Sequence, residues 1–306
     1  MENILSTNIC LYHGVDLDGF CSGAIYSKYM RAHGLPYELI PANYGWKLPW
    51  EKFEDADVTM VDFSLPMNEL QKLLNIAKSV MWIDHHKSAI EEFRQTTFLN
   101  LRKLNTVLTV DFAGCELIWN YLFPQDSIPY TVHLLGRYDV WRHENLDVLP
   151  FQYGMRLFDL KPDVGKDDWL WDILLDDPNS VQSDREQSII ETGRSILQYQ
   201  TKEDATAAKS SCFELDWNGQ KWICSNRGGK GSKFFDSLWD ETKYAGMMSF
   251  GWNGSHWVFG LYSTRDDVDC GAIAKQYNGG GHKGAAGFRC DCLPFDLTDG
   301  TKIFRS

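Results

Sequence analysis

The stretch Asn8–Phe20, NICLYHGVDLDGF, runs from a continuous apolar segment through a dense polar cluster to a glycine. Residues 8–13 (NICLYH) read as a short buried strand. His13, Asp16 and Asp18 follow within six positions. Two carboxylates and an imidazole that close repel one another and compete for solvent unless something cationic binds them. From Gly19 to about Ala32 the pattern turns helical, with Gly34 and Pro36 as stop signals. Gly19 is expected to let the chain turn sharply into that helix.

Outward from this stretch the same alternation repeats. YELIPA (37–42), DVTMVDF (57–63) and SVMWIDHH (79–86) are short apolar runs, separated by loops and by the helical MNELQKLLNIAKS (67–79). Strands alternating with helices predict an α/β domain built on a parallel sheet. Ligands of such sheets bind beyond the carboxyl ends of the strands. His13, Asp62, Asp84, His85 and His86 all fall there, and Asp139 in GRYDVW (136–141) reads as a further member. A strand-end aspartate is ordinarily a cap or turn residue. Taken together, however, these groups offer enough mixed carboxylate and imidazole donors for two hard or borderline divalent cations. Asp62, flanked by the other clusters, suits a bridge between them.

From about 112 to 180 the chain reads as mainly helical, and a long polar helix spans about 183–205. Its polarity suits a connector. Beyond 207 the texture changes. SCFELDWNGQKWICS (211–225) and GMMSFGWNGSHWVFGLYS (246–263) each carry Asn-Gly between apolar runs, the strongest short hairpin signal because both residues tolerate positive φ. The expected organisation is residues 1–182 as an N-terminal domain, 183–206 as a helical connector and 207–306 as a smaller α+β domain. In the last of these, NGGGHKGAAGF (278–288) follows the helix-like DCGAIAKQY. Its glycines fit either an anion-binding nest or a helix C-cap, and Arg265, His282 and Lys283 add cationic partners for phosphate.

Composition narrows the chemistry. The formal net charge is −12, with 43% hydrophobic and 24% charged residues, and no lysine/arginine cluster supplies the basic stripe that long DNA or RNA requires. A small anionic substrate fits better. No run reaches the roughly 20 apolar residues of a membrane span, and MENILSTNIC lacks the pattern of a signal peptide. The eight cysteines form no CxxC pair, which points to reduced thiols and a cytoplasmic setting.

HGVDLDG, VDFS, IDHHKS and GRYDVW, in that order, resemble the four motifs of the DHH phosphoesterase superfamily, and GGGHKGAAGF resembles the signature of its accessory DHHA1 domain. The resemblance covers nearly the whole chain and is nearest to the nanoRNase-like branch of oligoribonucleases and cyclic-nucleotide phosphodiesterases. It implies an N-terminal parallel-sheet DHH domain with a smaller α+β DHHA1 domain, and two divalent cations, manganese first, with magnesium or cobalt as alternatives. His13, Asp16 and Asp62 would hold one cation, and Asp18, Asp62, His85 and Asp139 the other. His86 would act on the substrate, Asp84 would orient the site, and Arg265, Gly280, Gly281 and His282 would bind nucleotide. The three-residue spacing from His13 to Asp16 departs from the four residues of several branches. The implied activity is hydrolysis of short oligonucleotides or small nucleotides, including phosphoadenosine phosphate, by a water activated between two metals. A homodimer is allowed, and neither membrane nor long duplex nucleic acid is expected as a partner. The competing readings are an inorganic pyrophosphatase, which shares the four metal motifs but carries a different second domain, and a nucleotide-binding module without catalysis.

Overall fold

The structure is a computed structural model that describes residues 7–97, 100–176, 183–296 and 302–303. Packing divides the chain into two units, Met1–Ile196 and Leu197–Ser306.

The first unit is built on five strands: β1 (Asn8–His13), β2 (Tyr37–Ala42), β3 (Asp57–Val61), β4 (Ser79–Asp84) and β5 (Leu104–Leu108). They lie in the order β2-β1-β3-β4-β5, and every pairing is parallel. Helices α1 (Leu17–Ala32), α2 (Met67–Ile76), α3 (Lys87–Gln95), α4 (Gly114–Leu122), α5 (Tyr130–Asp139), α6 (Val148–Met155) and α7 (Trp169–Leu174) complete it, together with the first turns of α8 (Asp184–Ser211). Because side chains alternate along a strand, β1 sends Ile9 and Leu11 into one core with α2, and Cys10 and Tyr12 into another with α1, α4 and α6. Both faces are covered, which explains why the strands read as unbroken apolar runs. Pro41 lies in β2, an edge strand, where its missing N–H costs the ladder least.

Helix α1 shows how a polar loop is turned into a helix start. Asp16 is the N-cap, its Oδ1 accepting from the Gly19 amide at 2.9 Å. Gly19 keeps ordinary helical backbone, so the sharp-turn expectation is replaced by a packing one. A Cβ there would stand 1.9 Å from the His13 carbonyl oxygen. At the other end Leu35 N donates to Met30 O (3.0 Å), Gly34 N donates to Arg31 O (3.1 Å), and Gly34 has φ +61°. This is a Schellman C-cap with glycine at the left-handed position.

The second unit contains the last turns of α8 and a mixed sheet: β6 (Cys212–Trp217), β7 (Gln220–Ser225), β8 (Gly246–Trp252), β9 (Trp257–Tyr262), β10 (Gly280–Gly281), β11 (Ala285–Cys290) and β12 (Lys302–Ile303), with α9 (Cys270–Lys275) packed against it. The order is β10-β11-β9-β8-β7-β6-β12, and β7–β8 is the one parallel pairing among these strands. Asn218 and Gly219, at φ +53° and +74°, form the tight turn expected between β6 and β7. The second Asn-Gly differs. Trp252 pairs with Trp257, leaving a four-residue loop in which Gly254 takes positive φ. The Asn253 side chain instead accepts from the Ser255 (3.0 Å) and His256 (2.8 Å) amides, the side-chain turn to which asparagine is prone. All eight cysteines are free thiols. Among the described residues, no helix is long and apolar enough to cross a membrane.

Candidate metal centre

The carboxyl ends of β1, β3 and β4, the three central strands, supply most of the polar cluster. His13 ends β1, Asp16 caps α1, Asp18 lies in its first turn, and Asp62 follows β3. Asp84 ends β4, and His85 and His86 lead into α3. Asp139 arrives differently: it is the last residue of α5, not of a strand, because the segment before it is helical.

Asp62 faces two ways. Its Oδ1 accepts from His85 Nε2 at 3.0 Å, while its Oδ2 stands 3.7 Å from His13 Nδ1. Around His13, Asp16 Oδ2 lies at 2.7 Å from Nδ1. Around His85, Asp139 Oδ2 lies at 3.3 Å and Asp18 Oδ2 at 3.7 Å from Nε2. Among the described residues three groups have donor atoms within 4.8 Å of one another: His13–Asp16–Asp62, Asp18–His85–Asp139, and Asp62–Asp84–His85–His86, which overlaps both through Asp62 and His85. Asp62 is held in the left-handed region at φ +53°, an uncommon backbone for a non-glycine residue and typical of functional sites.

The electrostatics are those of an excess of carboxylate. Burial pulls the His13 and His85 imidazoles down, but the surrounding carboxylates outweigh it and push both up to about 10. Burial raises the Asp18 carboxyl, and Asp62 and Asp139 add to the rise. Asp139 is pushed up to about 6, by burial first and by Asp62 next. Burial alone would raise Asp62 too, yet the imidazoles of His13 and His85 hold it well below the carboxylate range. Four carboxylates thus share two imidazoles.

The donor set fits divalent cations. Ligands about 2.1 Å from an octahedral cation stand roughly 3 Å from their neighbours, close to the spacings around His13 and His85. His13 Nδ1 is buried and close to Asp16, but no hydrogen-bond geometry joins it to any group. An orphaned nitrogen beside a carboxylate is what two ligands of one cation look like without the cation.

Asp84 has a different surrounding. Fully buried, its Oδ1 accepts from the His85 amide (2.8 Å), the His86 amide (3.3 Å) and His86 Nδ1 (2.7 Å), and its Oδ2 accepts from Trp82 Nε1 (3.3 Å). Its oxygens are committed to orienting the two histidines. Burial lowers the affinity of His86 for its proton, but Asp84 outweighs this and raises it.

In the second unit, Gly280 and Gly281 form the short strand β10 against Gly287 and Ala286. Gly281 has φ +140°, and a Cβ there would lie 2.5 Å from Ala286 Cα, so strand packing requires glycine irrespective of any ligand. His282 is exposed, its amide donating to Ala285 O at 2.7 Å. Arg265 grips Asp267 through Nε (2.8 Å) and Nη2 (2.5 Å), with Nη1 on the Glu241 carbonyl (3.2 Å).

No family model matches the chain. It is 25% identical over 324 residues to the uncharacterized protein R106 of Acanthamoeba polyphaga mimivirus, covering 95% of this chain and 70% of that protein. Among solved structures it is similar to an exopolyphosphatase-related protein from Bacteroides fragilis, at TM-score 0.57 and 12% identity over 97% of this chain and 90% of that one. A weaker likeness, TM-score 0.48 at 12% identity over 94% and 93% of the two chains, is to the pGpG-specific phosphodiesterase PggH of Vibrio cholerae. The likeness to the Bacteroides fragilis protein shows a shared fold.

Two supports of the cluster escaped sequence reading. Asp18 accepts from the Gly114 (2.8 Å) and Cys115 (2.7 Å) amides at the start of α4, nearly a hundred residues away in sequence. The open amides of that helix end favour the ionised carboxylate. Trp82 reaches Asp84 from within its own strand. Nothing in FAGC (112–115) signals the first contact. The second was visible only as alternation, since Trp82 and Asp84 share one face of β4.

Proposed function

We propose that the protein is a divalent-cation-dependent phosphoesterase that hydrolyses small nucleotides and short oligonucleotides, with manganese as the working cation. Residues 1–182 would form the catalytic domain, 183–206 the connector and 207–306 the domain that binds nucleotide through Arg265, Gly280, Gly281 and His282. The observation that carries this reading is the two-faced Asp62, one oxygen toward His13 and the other toward His85. In the proposal His13, Asp16 and Asp62 hold one cation, and Asp18, Asp62, His85 and Asp139 hold a second. When bound, such a pair supplies Lewis acidity: it lowers the pKa of water toward neutrality and neutralises phosphoryl oxygens.

The chain's own groups do the rest. With His86 Nδ1 tied to Asp84, its Nε2 is left to donate a proton toward a phosphoryl or leaving oxygen. Asp84 favours the protonated ring over the neutral one and holds it in register. The formal charge of −12 supports short substrates, because a long strand would leave the site over a surface offering little counterion release. Free cysteines support a reducing, cytoplasmic setting.

The test is a manganese-supplemented activity screen over dinucleotides, cyclic dinucleotides, phosphoadenosine phosphate and pyrophosphate, followed by a length series of single-stranded RNA. The expected result is highest kcat/KM on dinucleotides or other small nucleotides and a steep fall with length. Turnover of pyrophosphate alone would make the protein a pyrophosphatase. A flat or rising length profile would make it an exonuclease, and cation binding without any turnover would make it a binding module.

A further inference from the structure

Three helices of this protein end in the same hydrogen-bond pattern. After α1, Leu35 N donates to Met30 O and Gly34 N to Arg31 O, with Gly34 at φ +61°. After α9, Gly279 N donates to Ala274 O (2.9 Å) and Asn278 N to Lys275 O (3.2 Å), with Asn278 at φ +58°. After α5, Arg142 N donates to Arg137 O (2.8 Å) and Trp141 N to Tyr138 O (3.2 Å), with Trp141 at φ +58°. Glycine and asparagine are the residues that ordinarily occupy this left-handed cap position, glycine because it has no Cβ to clash and asparagine because its short polar side chain can hydrogen-bond locally. Tryptophan is out of place. Nor does burial explain it, because Trp141 is 62% exposed.

What the indole does have is a prepared neighbour. It stacks on His143, with ring centroids 5.6 Å apart and planes 28° from parallel. The His143 ring stacks in turn on Tyr138, at 5.4 Å and 21°. Its Nε2–H donates to the Tyr138 carbonyl at 3.2 Å, which fixes the plane of the ring. Asp139, of the cluster around His85, lies two residues before Trp141 on the same helix end. A flat, solvent-facing indole on a fixed stack, held at a conformational cost beside a cation-binding cluster, lacks a structural use in the free protein.

We propose that Trp141 is a stacking platform for the base of a nucleotide whose phosphate sits at the Asp62 cluster. The choice of ligand rests on the phosphoesterase reading. The stacking surface rests only on the cap geometry, the exposure and the ring contacts. Base–aromatic stacking is tolerant of base identity, so the platform favours nucleotides over other phosphates without selecting a sequence.

The test compares adenosine 5′-monophosphate with ribose 5-phosphate by calorimetry on the full chain, with calcium present to suppress turnover. The wild type should bind the nucleotide about tenfold more tightly, the scale of one stacked base. Trp141→Gly should bind the two equally, with ribose 5-phosphate affinity unchanged and a Tm equal to or above wild type, because glycine suits the cap. Trp141→Asn should repeat this result, and Trp141→Phe should keep most of the preference. A nucleotide preference that survives in Trp141→Gly or Trp141→Asn would overturn the proposal. So would equal binding or no binding of both ligands in the wild type, or a lower Tm in the glycine and asparagine variants. Failure of the phosphoesterase reading looks different: no ester is hydrolysed while the nucleotide preference and its loss in Trp141→Gly persist.

Discussion

At the carboxyl edge of the parallel sheet, Asp16, Asp18, Asp62 and Asp139 converge on two imidazoles, His13 and His85. In the mixed-sheet unit the buried Glu214 and Asp204 and the exposed Asp267 meet matching cations. Glu214 accepts from Tyr244 Oη (2.9 Å) and pairs with Lys221 and Lys243. Asp204 pairs with Lys230 at 2.8 Å, and Asp267 with Arg265. Glu214 accordingly sits below its ordinary range, Lys243 and Tyr244 overriding the effect of burial. The contrast separates two uses of charge. Paired groups satisfy each other and need no ligand. An excess of buried carboxylate is tolerated only where something cationic completes it.

The largest effect expected from this contrast is at Asp62. Asp62→Ala should lower kcat/KM by about a thousandfold or more and reduce cation content at both groups, measured by elemental analysis beside steady-state kinetics. If two tightly bound cations and near-normal rates remained, Asp62 would not be the shared ligand and the two groups would be independent.

Next in size is a pH effect. Raised to about 10, the His13 and His85 imidazoles carry protons at neutral pH that a cation must displace. Binding of two manganese ions should therefore release about two protons, and the product of their two affinities should rise by up to about a hundredfold per pH unit above neutrality, about tenfold for each ion, levelling near pH 10. Titration calorimetry in buffers of different ionisation enthalpy measures the release. Affinity already flat between pH 7 and 9 would mean that the histidines titrate normally and the carboxylate excess is not felt.

A smaller effect is expected one step from the cations. His86→Ala should lower kcat by about 10- to 100-fold with cation content intact, and Asp84→Asn should lower it in the same direction by removing the charge that favours the protonated ring. Loss of cations in His86→Ala would move His86 into the ligand set.

The smallest effect is expected in the second unit. Arg265 is already engaged by Asp267 and a backbone carbonyl, so a phosphate gains only the difference between two partners. Arg265→Ala should raise KM for a dinucleotide about two- to fivefold, since exposed, solvent-screened ion pairs contribute little, with manganese affinity unchanged. A hundredfold rise in KM would show that Arg265 leaves Asp267 for the substrate and that the units are less different than their ion pairs suggest.

Much of this was legible in the amino-acid sequence, for local reasons. β1 and β4 coincide with NICLYH and SVMWID, because strands covered on both faces must be apolar throughout, and β2, though at a sheet edge, coincides with YELIPA because only one of its residues is charged. β5 was not legible: LNTVL is half polar and lies at a sheet edge, where one ladder and partial exposure set little constraint. The polar clusters could be named because each sits within a few residues of an apolar run that ends at the same sheet edge.

What the tertiary structure alone decided are relations between residues distant in sequence, or choices among local alternatives that the sequence permits equally. The carboxylate of Asp18 is met by amides at Gly114 and Cys115, a contact that exists only once α4 packs beside α1. Asp139 enters from a helix end because α5 runs to the sheet edge. Asn253 closes a four-residue loop while Asn218 makes a tight turn, from the same dipeptide, because the register of the flanking strands sets the loop length. Residue types determine which groups can ionise, coordinate or turn. Distances between them depend on packing, and at this site the distances decide which carboxylates a cation would share.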